Sequence, residues 1–154
     1  MPKEDLEKHI IEFIRSQNIC VLATCTHGVP RATPLEFYSI GTDIYLMLEN
    51  GYTLSNIRSN PNVSVSIFAP YKGIFSLKGL QISGKVKILS RNDPDYDDVL
   101  NSYVKEKQER ERKLKVMLPN WEMMEMIKIK AIKIDLFDYS LQTQGFFIKQ
   151  TWVY

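Results

Sequence analysis

The sequence predicts a mainly β, α+β fold, a small antiparallel barrel of short strands with helices packed outside it. Three observations lead there. Short β-rich runs recur along the chain, separated by tight polar turns. Helical stripes occur at the start, in the middle and late in the chain, and there is no internal repeat or low-complexity linker. At 154 residues a single domain spanning residues 1–154 is expected, large enough to bury a real core.

The elements follow in order. "EDLEKHIIEFIRSQN" sets Leu6, Ile10, Phe13 and Ile14 on one helical face, with acids in the first turn and Arg15 near the end. Ile19–Thr24 is a strand, "THG" a turn, and Arg31–Tyr38 a second strand. After "IGTD", Ile44–Glu49 reads as a mostly buried strand, and a short helix over Thr53–Ser59 stops before Pro61. Val63–Phe68 and Gln81–Leu89 alternate as strands do. A long polar helix covers roughly Pro94 to Met117, then come a strand over Ile127–Tyr139 and a final run "GFFIKQTWVY". The aromatic residues of that run (Phe146, Phe147, Trp152 and Tyr154) supply apolar surface suited to an interface.

Composition narrows the function. A formal charge of +2 does not point to nucleic acid or an anionic membrane as partner. No apolar run approaches a membrane span and the chain opens without a signal-peptide core, so a cytoplasmic protein is expected. Cys20 and Cys25 are an odd number of residues apart in one strand and face opposite sides, so they should not bond each other. The two histidines, His9 and His27, form no metal cluster or triad, and no acid–base pair stands out. Any chemistry needs a borrowed cofactor.

Three local signals carry the site. In "NGYTLSN" a strand runs into a hydroxyl-rich turn and a helix N-terminus, an arrangement that holds phosphate with free N–H groups and hydroxyls. The alternative is that Thr53 simply caps the helix. Next, Pro30 and Pro34 bracket "RAT" in a predicted strand. Proline gives the ladder no N–H, so that strand is bulged or at an edge, leaving the backbone of Ala32 and Thr33 open to a flat heteroaromatic ligand. Protection of the edge against aggregation explains the prolines equally well. Finally, "KEKQERERKLK" alternates acids and bases, with Glu106–Arg110 and Glu109–Lys113 at pairing distance, and reads as a solvated helix face rather than a nucleic-acid stripe.

Residues 10–90 resemble the pyridoxamine 5′-phosphate oxidase-like, FMN-binding split-barrel flavoproteins. The resemblance rests on "VLAT", then "G-V-P-R-A-T-P-L-E-F", "IYLML", "NIRSNPNVSV" and the later "ISGKVKIL", in the family's order and spacing. It implies a six- or seven-stranded split β-barrel, an FMN cofactor and a homodimer with the flavins at its interface. By position, Arg31, Ala32, Thr33 and Pro34 would pass along the flavin ring. Leu48, Glu49, Tyr52, Thr53, Ser55 and Asn56 would approach the ribityl phosphate.

Two departures bear on activity. Thr53 stands where many relatives carry a phosphate-binding lysine, so the phosphate would rely on hydroxyls, backbone N–H groups and Arg31 or Arg58. True pyridoxamine phosphate oxidases end in an arginine- and tryptophan-rich segment that grips the substrate phosphate, whereas this chain has no arginine after Arg112. Lys128 and Lys130 share one strand face and, in a regular strand, Lys133 falls on the other. The expectation is a small FMN-dependent oxidoreductase without vitamin B6 oxidase activity. A deazaflavin-dependent reductase and a non-enzymatic flavin or haem store or sensor are the alternatives. An oligonucleotide-binding barrel is disfavoured by the mixed charge.

Overall fold

The structure, a computed structural model, describes residues 1–118 and 120–154. Helix α1 (Lys3–Arg15) buries the four residues of its apolar stripe, Leu6, Ile10, Phe13 and Ile14. Strands β1 (Ile19–Thr26) and β2 (Val29–Glu36) form an antiparallel hairpin whose turn is only His27 and Gly28. Both turn residues have positive φ (52° and 73°), the twist that a two-residue hairpin turn demands. The tight turn starts β2 at Val29, two residues before the strand expected from Arg31.

Instead of running on to Tyr38, the second strand breaks at the buried Phe37, and the chain continues as β3 (Tyr38–Ile40) and β4 (Asp43–Leu48). Then follow α2 (Tyr52–Ser59), β5 (Asn62–Phe68), β6 (Lys78–Ile88), α3 (Tyr96–Leu114), β7 (Glu125–Asp138) and β8 (Lys149–Val153). α3 is shorter than expected because Lys115 turns into the left-handed region at φ 53°.

Among the described residues the sheet has eight strands in the order β2-β1-β5-β6-β7-β4-β3, with β8 also paired to β7. This is one more than the upper count expected, because Tyr38–Ile40 is a short strand of its own rather than the end of the second strand. β2 and β3 stand at opposite ends of that path, yet only Phe37 separates them in sequence. The sheet must therefore curl until its two edges meet, while leaving them unpaired, which is the geometry of a split barrel.

Two features sharpen the curl. β7 pairs with β6 along its length, and its other edge is shared between β4 (Glu125–Ile129) and β8 (Lys133–Phe137). Between Ser83 and Gly84 the β6–β7 register slips past Ile132, a bulge that bends the strands. A Cβ on Gly84 would lie 2.7 Å from both Ile129 Cγ2 and the Lys130 carbonyl oxygen, so the strands can approach this closely only at glycine. The bulge also overturns one expectation, because the extra residue puts Lys133 on the same outer face as Lys128 and Lys130.

The main core fills the barrel from Leu22, Ile44, Leu46, Val65, Ile67, Ile82, Ile129 and Ile134, with α1 and α2 across it. A second cluster of Tyr45, Leu89, Val99 and Met126 packs beneath α3, so β4 is buried on both faces. Trp152 belongs to the main core, where its indole N–H donates to Glu7 at 3.3 Å, and does not face outward as the aromatic run suggested. Phe147 and Tyr154 are exposed, and Phe146 packs against the core. Both cysteines are free and lie on opposite sides of β1; burial pushes the Cys20 thiol up to about 12. On α3, Arg110 pairs with Glu106 and also with Glu36, but Glu109 and Lys113 form no ion pair among the described residues.

Asp138, at the end of β7, clasps three elements. His9 Nε2 and Lys78 Nζ both lie 2.8 Å from its Oδ2, and the Ser140 N–H and hydroxyl donate to Oδ1 at 2.9 and 2.6 Å. Burial acts to raise this carboxyl, but the bonds from Lys78, Ser140 and His9 outweigh it and hold the group at about 2. Among the described residues no helix is long and apolar enough to cross a membrane, and no group of three or more His, Cys, Asp or Glu is placed to hold a metal.

Candidate cofactor site

β2 is an edge strand that pairs only with β1, and its register runs without a bulge from Ile19↔Glu36 to Thr26↔Val29. Pro30 faces Cys25 and Pro34 faces Val21. In an antiparallel ladder, alternate residues exchange both backbone bonds with the partner while the rest point theirs away. A proline cannot serve in the first set, so positions 30 and 34 belong to the second, and position 32 shares their parity. The N–H and C=O of Ala32 therefore face the open edge, while those of Arg31 and Thr33 bond to β1. The edge alternative for the proline-flanked strand holds, the bulge does not, and the free backbone is narrower than expected: Ala32 without Thr33.

α2 lies against this hairpin. Leu54 and Ile57 anchor it in the core, and two asparagines pin it to β1. Asn56 Nδ2 donates to the buried Thr24 hydroxyl at 3.1 Å, and Asn60 Nδ2 donates to the Cys25 carbonyl at 3.1 Å. The Thr26 hydroxyl reaches the Asn56 carbonyl at 3.5 Å, a weak contact. At about 100° per residue, Tyr52, Thr53, Asn56 and Asn60 share the face turned to the hairpin.

The N-terminus of α2 removes the capping reading of Thr53. Its N-cap is Gly51, with no side-chain cap, so Thr53 is not the cap. The first intrahelical bond is Ser55 N–H to the Gly51 carbonyl at 3.0 Å, which leaves the N–H groups of Tyr52, Thr53 and Leu54 without a helical partner. The Thr53 hydroxyl lies 3.3 Å from the Thr33 hydroxyl. The Arg31 guanidinium sits 5.5 Å from the centre of the Tyr52 ring, within cation–π range. Thr26, Val29, Pro30, Arg31, Tyr52 and Asn56 enclose a cavity of about 210 Å³.

The structure thus brings Arg31, Ala32, Thr33, Tyr52, Thr53 and Asn56 to one place, with Pro34 next along the edge. Leu48 ends β4 with its side chain in the core, so only its backbone is accessible. Glu49 is exposed on the connection to α2, and Ser55 is exposed on the far side of the helix from Thr53. Arg58 points away and lies 3.6 Å from Glu125. Sequence reasoning passed over Thr24 and Asn60, which hold α2 in place. The signal was there: asparagines four apart on a helix, and a threonine in an apolar strand.

The donor set fits a phosphate: three free helical N–H groups, two hydroxyls and a guanidinium, with an open strand edge beside them for a flat ring.

The profile of the pyridoxamine 5′-phosphate oxidase family matches residues 6–134. The chain belongs to that family. Solved structures with the same fold include an FAD-binding protein of Mesorhizobium loti (TM-score 0.67, 17% identity, covering 82% of this chain and 90% of that one). The heme storage protein of Vibrio cholerae is another (TM-score 0.62, 18% identity, 82% and 89%). Among curated proteins, UPF0306 protein PM1958 of Pasteurella multocida is 28% identical over 85 residues, so the match spans about half of each protein, 52% of this chain and 56% of that one. Solved structures of this fold are thus named for different prosthetic groups, and the fold alone does not choose among them.

Proposed function

We propose that this member of the pyridoxamine 5′-phosphate oxidase family is an FMN-binding flavoprotein. It is a small cytoplasmic oxidoreductase that works as a homodimer and does not oxidise pyridoxamine phosphate. The observation that carries this reading is the uncapped N-terminus of α2, with the Thr33–Thr53 hydroxyl pair, set beside the open edge of β2. Bound FMN supplies hydride and electron transfer, and the chain supplies position. Arg31, Thr33, Thr53 and the free N–H groups of α2 receive the phosphate. The Ala32 N–H and C=O meet the ring edge. Pro30 and Pro34 keep another strand from taking that edge.

The cavity of about 210 Å³ is smaller than the roughly 300–1,000 Å³ of ordinary ligand sites. One protomer accommodates the phosphate end and leaves the ring uncovered, which is why a second copy is part of the proposal. One anion site at α2, with no glycine-rich loop beside it among the described residues to take an adenylate, favours FMN over FAD. The test is to purify the protein, record its absorbance, denature it and identify the released group by chromatography. FMN is expected; FAD as the main species, or a haem Soret band, would overturn the assignment.

A further inference from the structure

Away from α2 and the β2 edge, four of the outer-face lysines of β6 and β7 stand in two facing pairs. Lys85 lies opposite Lys130, and Lys87 lies opposite Lys128. Like charges directly opposite one another on adjacent antiparallel strands are destabilising unless something neutralises them. One pair is neutralised within the chain. Lys87 bonds to Asp93, and Lys128 lies 2.6 Å from Asp95 and 3.2 Å from Asp43. Burial acts against the charge on Lys128, but its bonds to Asp95, Tyr45 and Asp43 outweigh that and keep it an ammonium.

The other pair has no such relief. Among the described residues neither Lys85 nor Lys130 forms an ion pair with a carboxylate; Lys130 instead rests over the Tyr154 ring, 4.2 Å from its centre. The four lysines border a cavity of about 460 Å³, closed by Leu89 and by Asp93, Pro94 and Asp95 of the connection into α3. That volume falls within the range of small-molecule sites. Leu89 and Pro94 make an apolar wall, and the two aspartates close the end beside Lys87 and Lys128 against an anion.

We propose that this cavity is a second ligand site, taking a small phosphate monoester. The phosphate would bridge Lys85 and Lys130, and the organic part would lie against Leu89 and Pro94. Two ammonium groups without carboxylate partners match a phosphate monoester, which carries a charge of about −1.5 to −2 at pH 7. Lysine serves such a group as a point charge, without the planar fork that a fixed bidentate geometry needs. Lys87 and Lys128 are already matched by Asp93, Asp95 and Asp43, which leaves Lys85 and Lys130 as the pair open to the ligand. The site shares no residue with the α2 cavity and stands or falls separately from the flavin.

The experiment is calorimetric titration of the full chain at low ionic strength, first with inorganic phosphate and then with phenyl phosphate. Lys85 and Lys130 are exposed, so a Lys85→Gln/Lys130→Gln variant keeps the fold, checked by circular dichroism and a thermal melt. Saturable binding of both probes is expected, tighter for phenyl phosphate. Both should weaken at least tenfold in the double variant, be rescued by Lys85→Arg/Lys130→Arg, and stay unchanged at this site in Arg31→Gln. No saturable binding by the natural chain, or binding that survives the double glutamine change made together with Arg31→Gln, would overturn the proposal. Phenyl phosphate binding no tighter than inorganic phosphate would overturn the role given to Leu89 and Pro94.

Discussion

Thr53 and Ser55 look equivalent in the sequence, two hydroxyl residues in one turn, but the helix separates them. Two residues along α2 is a rotation of about 200°. Thr53 therefore faces Thr33, 3.3 Å away, while Ser55 points to solvent. Replacing Thr53 with valine keeps the branched shape and deletes one donor. A hydrogen bond to a charged acceptor contributes about 1.5–3 kcal/mol, which is a loss of about ten- to 150-fold in FMN affinity. The cost to the fold is smaller, about 0.5–1.5 kcal/mol for one neutral hydroxyl pair, so Thr53→Val should still melt cooperatively. Titrating the cofactor-free protein with FMN and following flavin fluorescence gives the dissociation constants. We expect a tenfold or greater loss in Thr53→Val, a similar loss in Thr33→Val, and no change in Ser55→Ala. The Thr33→Val/Thr53→Val double variant should lose less than the sum, since both hydroxyls serve one phosphate. Equal losses in Ser55→Ala and Thr53→Val, or full affinity in Thr53→Val, would refute the placement of the phosphate at α2.

Other consequences can be checked on the same protein. Gly84→Ala forces a Cβ to 2.7 Å from the Lys130 carbonyl oxygen and should cost about 1–3 kcal/mol by overpacking; an unchanged melting temperature would mean the strands are not pressed together there. Asp138→Ala leaves Lys78 and His9 without their shared acceptor and should cost about 3–5 kcal/mol. Because the folded carboxyl of Asp138 is held at about 2, below its ordinary 3.8, its stabilisation is full above about pH 4 and is lost as the pH falls towards 2. Asp138→Asn should remove that part of the acid transition, and acid melts of the two proteins that differ only by a constant offset would contradict it. Sedimentation equilibrium should give a dimer, and a flavin-loaded monomer at micromolar concentration would defeat the two-copy site. Aerobic incubation of the flavin-loaded protein with pyridoxamine phosphate should produce no pyridoxal phosphate, whereas saturable turnover near about 1 per second would show that a substrate site has been missed.

Much of the barrel was readable because burial writes a period into the chain. The stripe Leu6, Ile10, Phe13 and Ile14 and the alternation in Val63–Phe68 matched the buried residues of α1 and β5. The break at Phe37 was not readable, since a buried aromatic continues an apolar run whether the strand goes on or crosses to the other edge. The bulge past Ile132 was equally silent, because one extra residue changes the face of everything after it without changing composition. At the site, proline parity carried real information, and only the pairing register showed which single residue keeps its backbone free. Asparagines four apart and a threonine in an apolar strand marked Thr24 and Asn60 as unusual, but their roles needed the packing of α2 on β1, a contact between distant parts of the chain.

The bulge also bears on why the family's name need not bring the family's reaction. By moving Lys133 to the face of Lys128 and Lys130, it assembles the cations that a phosphorylated substrate would need, which a regular strand would have kept apart. Yet two of the three are already paired: Lys128 with Asp43 and Asp95, and Lys133 with Asp135 at 2.7 Å. A substrate phosphate would have to displace a carboxylate from each of them. Only Lys130, with Lys85 across the ladder, lacks a carboxylate partner among the described residues, and that pair stands on a wall that shares nothing with the β2 edge. On the proposed placement of the flavin, one protomer therefore keeps apart two tasks that a pyridoxamine phosphate oxidase brings together, holding a flat ring along β2 and holding a second phosphate beside it. On that placement strand register fixes both positions, so one arginine added to the last strand would not by itself bring the two tasks together within one protomer.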